Sequence, residues 1–144
     1  MIDPEVSGVI FTQEPVTYNS SRVVINASYG LGEAVVSGLV LPDQYVTNKQ
    51  TGEEVSQLFI GSKRIKIVKN PKGHGTKTEY VDRRERRSRA LSLEQTKILT
   101  HIAREIEEFF FFPVDIEFAI QGNTIWIVQV RPVTTGVRAV LSVT

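Results

Sequence analysis

The stretch that decides the fold is "DIEFAIQGNTIWIVQVRPVTT", residues 115–135. Apolar and polar residues alternate on both sides of a Gly-Asn pair, which predicts two antiparallel strands joined by a tight turn. Four polar residues, Asp115, Glu117, Gln129 and Arg131, interrupt the apolar pattern near the end of the hairpin that lies far from the turn. A purely structural hairpin has no need of them, so they are candidates for a site.

Whether these residues meet depends on the register of the hairpin, which the sequence leaves open. A two-residue turn at Gly122-Asn123 separates Glu117 and Gln129 onto different faces of the sheet. A loop one residue longer places Asp115 opposite Gln129, with Glu117 diagonal to Gln129 and within side-chain reach. Both turns are compatible with the residues present. Only the longer loop is expected to build a site.

In the longer register, the polar residues suit a phosphorylated ligand and a hard cation. The carboxylate of Glu117 and the amide oxygen of Gln129 are ligands that Mg²⁺ accepts together with phosphate oxygens. Arg131 offers planar donors for phosphate and for the charge that develops when a phosphoryl group is transferred. The alternative is a solvated sheet face, because Glu, Gln and Arg are common on exposed surfaces.

Composition excludes several other classes of protein. The chain has 144 residues, of which 41% are hydrophobic, enough for one globular domain with a core. A net charge of +1 gives no general bias towards nucleic acids or membrane surfaces, and the absence of cysteine excludes disulfides and thiol chemistry. No apolar run reaches the ~18 residues that span a bilayer, and no signal peptide is recognisable, so we expect a cytoplasmic protein.

The remaining patterns predict an α+β fold with a mostly antiparallel sheet, one long helix and the C-terminal hairpin. The helix is predicted over residues 92–110, with Ser92 as N-cap, Gln95 completing a capping box and Pro113 ending it. Strands are predicted at 8–16, at 22–30 and within 43–68, and the charged segment 70–89 is predicted to be irregular. The apolar stripe of the helix comprises Ile98, Leu99, Ile102, Ala103, Ile106 and Phe109.

Two further segments have a structural and a functional interpretation. "GLGEAVVSG" (30–38) is either a phosphate-binding loop or a close-packed turn, and we favour an architectural role for Gly30 and Gly32. Glu33 in this segment is a candidate nucleotide contact. "RRERRSR" (83–89) contains the acidic residue Glu85, follows Asp82 and has no aromatic residue, so it is interpreted as a solvated surface rather than an RNA-binding segment.

Several blocks of the sequence together resemble one known family. The blocks "SGVIFTQEPV", "GLGEAVVSGLVLPDQYV", "IGSKRIKIV" and "PVDIEFAI…IWIVQVRPVTT" are similar, in order, to the nucleotide-binding domain of phosphoenolpyruvate synthases. The same domain occurs in pyruvate phosphate dikinases and rifampicin phosphotransferases. The resemblance extends from about Ser7 to Thr135, nearly the whole chain.

The resemblance implies an ATP-grasp fold, in which ATP and Mg²⁺ lie between two α+β lobes. Residues 1–135 would form the second lobe, and residues 136–144 a tail or linker. By motif position, Glu117 and Gln129 would contact ATP phosphates and Mg²⁺, and Arg131 would be the catalytic residue that binds phosphate and stabilises its transfer. Asp115 would support the same site.

The resemblance also implies the activity of a larger parent protein. That parent would be a phosphoenolpyruvate synthase-like (pyruvate, water dikinase) enzyme that phosphorylates a histidine of a separate domain, and "IGSKRIKIV" favours this branch. A rifampicin phosphotransferase, or a non-catalytic half-domain that mediates interactions, are the alternatives. The family's first lobe and its phosphohistidine motif have no counterpart here, since neither His74 nor His101 matches that motif. We therefore expect a fragment that is inactive alone, with those two domains as partners and neither nucleic acid nor membrane.

Overall fold

The computed structural model describes residues 3–15, 18–55 and 58–133, so the predicted tail at 136–144 lies outside the described residues. The fold is α+β, as predicted, with one long helix and a C-terminal hairpin. The strands are β1 (Val6–Phe11), β2 (Arg22–Tyr29), β3 (Asp43–Asn48), β4 (Ile65–Lys69), β5 (Thr76–Tyr80), β6 (Val114–Gln121) and β7 (Thr124–Pro132). The helices are α1 (Glu33–Val36), α2 (Arg83–Arg86) and α3 (Leu93–Phe110).

Five strands form one antiparallel sheet in the order β3-β2-β1-β6-β7. The central strand β1 therefore joins the N-terminal strands to the C-terminal hairpin. Because β1 pairs with both β2 and β6, residues that are distant in sequence are aligned in rows across the sheet. This alignment positions the candidate site.

A separate two-stranded sheet, formed by β4 and β5, corrects the prediction for residues 70–89. We expected an irregular segment there, but it contains β5 and the short helix α2. Almost every residue of β5 is exposed, so the strand lacks the apolar alternation by which strands are recognised. Its conformation is fixed by backbone pairing with β4, from Ile65 opposite Tyr80 to Lys69 opposite Thr76.

The N-terminus of α3 has the predicted capping box. The Ser92 side chain accepts a hydrogen bond from the Gln95 backbone N–H, and the Gln95 side chain accepts one from the Ser92 backbone N–H. These two bonds satisfy backbone donors that the first turn of a helix leaves free. The start of the helix is thus determined by local sequence.

The buried face of α3 differs in part from the predicted stripe. Leu99 and Ala103 are fully buried, as expected, but Phe109 is 78% exposed. Thr100 is fully buried instead, and its hydroxyl hydrogen-bonds the hydroxyl of Thr47 on β3 at 2.7 Å. Each hydroxyl thus has a hydrogen-bond partner, so two threonines can be buried between α3 and β3. The apolar pattern alone predicted only apolar residues at the buried face of the helix.

The two faces of the five-stranded sheet are covered differently. The main core fills the space between one face and α3, and it includes Ile10, Ile25, Leu99, Ile116 and Phe118. On the other face α1 is packed by a small cluster of Ala34, Val40 and Ile67. A four-residue helix cannot cover a five-stranded sheet, so part of this second face stays open. The candidate site lies there.

Candidate functional site

The turn of the C-terminal hairpin has two residues. Gln121 lies opposite Thr124, and Gly122 adopts a φ of +59° between them, a conformation that glycine tolerates. The longer loop on which the predicted site depended is therefore absent. By turn length alone, Glu117 and Gln129 would face opposite sides of the sheet.

A β-bulge restores the alignment that the turn does not provide. Phe118 lies opposite Ile127, whereas the preceding residue Glu117 lies opposite Gln129. Val128 is therefore an extra residue in β7 that has no partner in β6. An extra residue in one strand shifts every later residue to the other face. The expectation that only an odd-length loop could build the site was wrong, because the bulge contributes the odd residue.

The bulge brings all four polar residues of the hairpin to the open face. Glu117 is opposite Gln129, and Asp115 is opposite Arg131 rather than opposite Gln129 as the longer loop predicted. We call Asp115, Glu117, Gln129 and Arg131 the polar row. Residues that are directly opposed in an antiparallel pair lie on the same side, so the row forms two adjacent cross-strand pairs.

Hydrogen bonds connect three members of the polar row. In the amide orientation that satisfies both neighbours, the Gln129 nitrogen donates to Glu117 Oε2 at 2.6 Å. The Gln129 oxygen accepts from Arg131 Nη2 at 3.1 Å. Gln129 and Arg131 are exposed, and among the described residues Arg131 has no carboxylate within ion-pair distance. The row therefore keeps charge and hydrogen-bonding capacity that the protein itself does not use.

Asp115 is a half-buried acid of the row. Burial raises the pKa of Asp115 above its ordinary value, and the facing Arg131 guanidinium offsets part of that rise. A carboxylate loses hydration when it is buried, which favours its neutral form, whereas a nearby cation favours its charged form. The raised pKa indicates that the attraction of Arg131 does not fully offset the loss of hydration of the Asp115 carboxylate.

The polar row lines a pocket of about 250 Å³, which we call the polar pocket. Val35 and Val36 of α1 form part of its wall, and Asn26 of β2 adds a polar group that sequence reasoning missed. Val9 is paired with Asn26 on one side and with Glu117 on the other, so one row of the sheet joins them. The available signal was a polar residue inside the apolar run of β2, but its relation to the hairpin depends on strand order.

An apolar cavity of about 420 Å³ adjoins the polar pocket and shares Val36 and Glu117 with it. Glu33, the candidate nucleotide contact, lines this cavity and not the polar pocket. The structure therefore brings Glu33 near Glu117 but separates it from the other polar-row residues. The remaining lining residues are largely apolar or small: Pro4, Ser7, Gly8, Leu31, Gly32, Phe118, Ala119 and Val128.

The two glycines before α1 have different roles. Gly30 has a φ of +79°, and a Cβ there would lie 2.5 Å from the carbonyl oxygen of Ile67, so its role is architectural as expected. Gly32 has an ordinary φ of −62°, and a Cβ there would meet only Ser7 Cβ, at 3.5 Å. The architectural prediction is therefore wrong for Gly32, which instead leaves space at the wall of the apolar cavity.

The fold and the site together define a class of protein. An α+β fold presents an acid, an amide and a guanidinium in one open pocket, next to an apolar cavity of the size that small ligands occupy. Residues 1–141 match the family described as "Pyruvate phosphate dikinase, AMP/ATP-binding domain". The chain belongs to this family. No described helix is both long and apolar enough to cross a membrane.

Relatives with similar sequences include two phosphotransferases and a phosphoenolpyruvate synthase by name. The chain is 44% identical over 135 residues to an uncharacterized phosphotransferase of Bacillus subtilis. It is 42% identical over 142 residues to a probable phosphoenolpyruvate synthase of Pyrococcus abyssi, and 40% identical over 135 residues to a rifampicin phosphotransferase of Bacillus cereus. Each comparison covers 94% of this chain but only 15–17% of the relative. The chain thus spans about one sixth of the length of these relatives.

Proposed function

We propose that residues 1–135 form the second lobe of an ATP-grasp domain and supply one wall of an ATP·Mg²⁺ site. The observation that carries this proposal is the bulge at Val128, which turns Gln129 and Arg131 to the face that bears Glu117. A bulge costs regular pairing, and such irregularities are frequent next to functional sites. The family match supports ATP as the ligand.

Arg131 is the residue to which we assign the catalytic role. Its guanidinium is exposed in the polar pocket and donates to Gln129, with no carboxylate at ion-pair distance among the described residues. A free guanidinium fits two phosphate oxygens at once and stabilises the charge that builds on them during transfer. Asp115 lies directly opposite, and its carboxylate is within the electrostatic influence of that guanidinium.

Glu117 and Gln129 fit the chemistry of a magnesium site. Both offer oxygen ligands, and Mg²⁺ commonly takes one or two protein oxygens together with phosphate oxygens and water. When the Gln129 amide is turned over, its oxygen lies 2.6 Å from Glu117 Oε2. Two acceptors at that separation repel each other unless a cation or a proton lies between them. Mg²⁺ would neutralise part of the phosphate charge at this position.

The amide of Gln129 also couples the two halves of the polar row. Turning it over points its nitrogen at Arg131, which is a donor as well, so the bond between the two side chains cannot form. The orientation that offers oxygen beside Glu117 is therefore the one that frees Arg131 for phosphate. This arrangement supports assigning the three residues to one ligand.

The apolar cavity is the place we assign to the nucleobase. It adjoins the polar pocket through Glu117 and Val36, which is the arrangement that a ligand with an apolar ring and a charged chain requires. Glu33 is exposed at this cavity, where it would contact the sugar or base rather than the phosphates. A carboxylate beside a triphosphate repels it unless a cation lies between them, so this position is the more favourable one for Glu33.

We propose that the parent protein is a phosphoenolpyruvate synthase-like enzyme. It would use ATP to phosphorylate a histidine of a separate domain and then pyruvate, in the cytoplasm, where ATP is available. The first lobe and the phosphohistidine domain are the partners this requires, and residues 136–144 would be the linker. This chain alone would bind ATP weakly and transfer no phosphoryl group, since one wall of a site provides little of the positioning that transfer needs.

Two alternatives keep the same ATP site but change its use. A rifampicin-type parent is favoured by the 40% identity to the enzyme of that name, which is close to the 42% for the synthase. The other alternative is a non-catalytic half-domain that mediates interactions and transfers no phosphoryl group. The acceptor distinguishes the synthase-like parent from the rifampicin-type parent. A full-length parent that phosphorylates pyruvate would be the first, and one that phosphorylates rifampicin would be the second.

The binding proposal is tested by titrating the 144-residue chain with Mg·ATP and following backbone amide resonances. We expect shifts concentrated at residues 115–131 that Arg131→Ala abolishes. Arg84→Ala is the matched control, since it removes the same charge from an exposed position on α2 outside both cavities. No shifts at millimolar ATP, or equal losses in both variants, would contradict the proposal.

A further inference from the structure

Ser7 is a buried serine whose hydroxyl is unused. The residue is 2% exposed, and its Oγ has no hydrogen-bond partner among the described residues. Buried polar groups are nearly always hydrogen-bonded in native proteins, because an unsatisfied one loses its bonds with water and gains nothing in return. Where such a hydroxyl borders a cavity, it is available to a polar atom of a ligand.

The apolar cavity is where such a partner can be. Ser7 lies on the face of the sheet that carries Glu117, paired with Ala119 of β6, and both residues line the cavity. The other polar side chains of the lining, Glu33 and Glu117, are more exposed than Ser7. In an apolar site a few polar groups fix the orientation of the ligand, and Ser7 is the buried one here.

Gly32 keeps the approach to Ser7 clear. Its backbone conformation is ordinary, with a φ of −62°, so glycine is not required there for conformational reasons. A Cβ at this position would meet nothing within 4 Å except Ser7 Cβ at 3.5 Å. The missing methyl group thus leaves space directly beside the orphaned serine, on the wall of the cavity.

We propose that Ser7 is a specificity-determining residue whose hydroxyl hydrogen-bonds a polar edge atom of the nucleobase held in the apolar cavity. A hydroxyl can donate or accept, so it can serve either a ring nitrogen or an exocyclic amine. The inference rests on the proposed function, which places the base in this cavity. It adds the group that recognises the base, whereas the polar row deals with phosphates.

Ser28 provides a matched control. It is the cross-strand partner of Ser7 on β2, it is fully buried, and its Oγ is likewise without a partner among the described residues. It does not line the apolar cavity. Replacing either serine with alanine removes the same atom from the same kind of environment, and only one of the two atoms can reach a ligand in the cavity.

The experiment measures the affinity of the 144-residue chain for Mg·ATP and for magnesium tripolyphosphate, which has no base, in the Ser7→Ala and Ser28→Ala variants. We expect Ser7→Ala to weaken ATP binding about three- to tenfold, the factor that one neutral hydrogen bond provides, and to leave tripolyphosphate binding unchanged. Ser28→Ala should change neither. The melting temperatures of both variants should stay level or rise, because each loses an unsatisfied buried hydroxyl.

The outcomes separate this inference from the proposal beneath it. Equal ATP affinities in the two variants and the wild type would overturn the role of Ser7 and leave the ATP site intact. Equal losses for ATP and tripolyphosphate in Ser7→Ala would also overturn it, since the effect would not involve the base. A wild-type chain that binds neither ligand would overturn both. As a second variant, Gly32→Ala should weaken ATP binding alone, by crowding the approach to Ser7.

Discussion

Two polar clusters in this molecule use their charges in opposite ways. The Asp43 cluster is sealed: the side chains of Asp43 and Lys63 are both fully buried. Asp43 Oδ1 accepts from Lys63 Nζ at 2.5 Å and from the Gly61 N–H at 2.9 Å, and Oδ2 accepts from Tyr45 Oη at 2.6 Å and from the Ala90 N–H at 2.8 Å. The polar row, in contrast, is open and keeps donors and acceptors unused.

The difference follows from the cost of burying charge. A buried carboxylate is tolerated only when its oxygens are fully hydrogen-bonded and a cation lies beside it, and Asp43 meets both conditions. Burial and the bond to Asp43 also raise the pKa of Tyr45, which keeps this phenol protonated and able to donate. The Asp43 cluster thus joins β3 to two distant segments. The polar row needs no such internal partners, because its exposed donors and acceptors can hydrogen-bond water when no ligand is bound.

Removing Asp43 should have the largest effect. Asp43→Ala leaves Lys63 buried without a counter-charge and three other donors without an acceptor, so we expect a loss of about 3–5 kcal/mol of unfolding free energy. Urea unfolding monitored by circular dichroism measures it. Glu79→Ala is the control, since it breaks an exposed Lys77–Glu79 pair and should cost at most about 1 kcal/mol. Similar losses in both variants would remove the contrast between the clusters.

Deleting Val128 should have the next largest effect. Without the bulge, Gln129 and Arg131 turn to the face that packs on α3, and the partly buried Val130 turns away from the core. We expect a loss of about 1–3 kcal/mol, because polar groups replace an apolar contact, together with loss of the ATP-induced amide shifts. Val128→Ile keeps the bulge and an apolar side chain at the cavity wall, so it should retain both the stability and the ATP-induced amide shifts of the wild type. A deletion variant that still binds ATP would show that register is irrelevant to the site.

A pair of double-mutant cycles compares the coupling within each cluster. For Asp43→Ala combined with Lys63→Met, we expect a double variant less destabilised than the sum of the single ones, by about 0.5–3 kcal/mol. For Glu117→Ala combined with Arg131→Ala, we expect a coupling below about 1 kcal/mol, because the two residues share Gln129 as a hydrogen-bond partner but Gln129 and Arg131 are exposed to water. Strong coupling in the second cycle would mean that the polar row is a structural network.

The smallest effect is expected at Asp115, and it depends on pH. Its raised pKa means that the neutral form is favoured by folding, so this group stabilises the fold at low pH. That contribution is lost as the pH rises through the raised value. Asp115→Asn, which cannot ionise, should therefore melt at a higher temperature than the wild type at pH 7 and show little difference at pH 3.

The control for the pH experiment is Asp3→Asn, which removes an exposed carboxylate near the start of the chain. Its melting temperature should follow that of the wild type at both pH values. An Asp115→Asn variant less stable than the wild type at pH 7 would reverse the sign. In that case the attraction of Arg131 would outweigh the burial of Asp115.

The hairpin shows how far sequence reasoning reached and where it failed. Alternation predicted both strands, and the polar residues were recognised as candidates from their types alone. The prediction that they meet depended on the length of the turn, because Gly122 and Asn123 are the local signal from which the register could be inferred. The bulge has no such local signal: Val128 is an apolar residue in an apolar strand, and its extra position appears only when the partner strand is present.

Residues that matter through distant partners were missed for the same reason. Asn26 and Ser7 lie on strands separated from the hairpin by most of the chain, and they reach the site because β1 pairs with β2 and with β6. Asp43 and Lys63 look like ordinary charged residues in a strand and a loop. Their burial depends on how three segments close around them, which no spacing along the chain encodes.

By itself the sequence determined the elements whose causes are local. The capping box at Ser92, the apolar stripe that buries Leu99 and the glycine in the final turn act within a few residues, so α3 and the hairpin could be predicted. Only the tertiary structure decided which side chains face one another, because sheet order and register arise from pairing between segments far apart in the chain. The polar row exists because one extra residue in β7 turns Gln129 and Arg131 to the face of the sheet on which β6 carries Asp115 and Glu117.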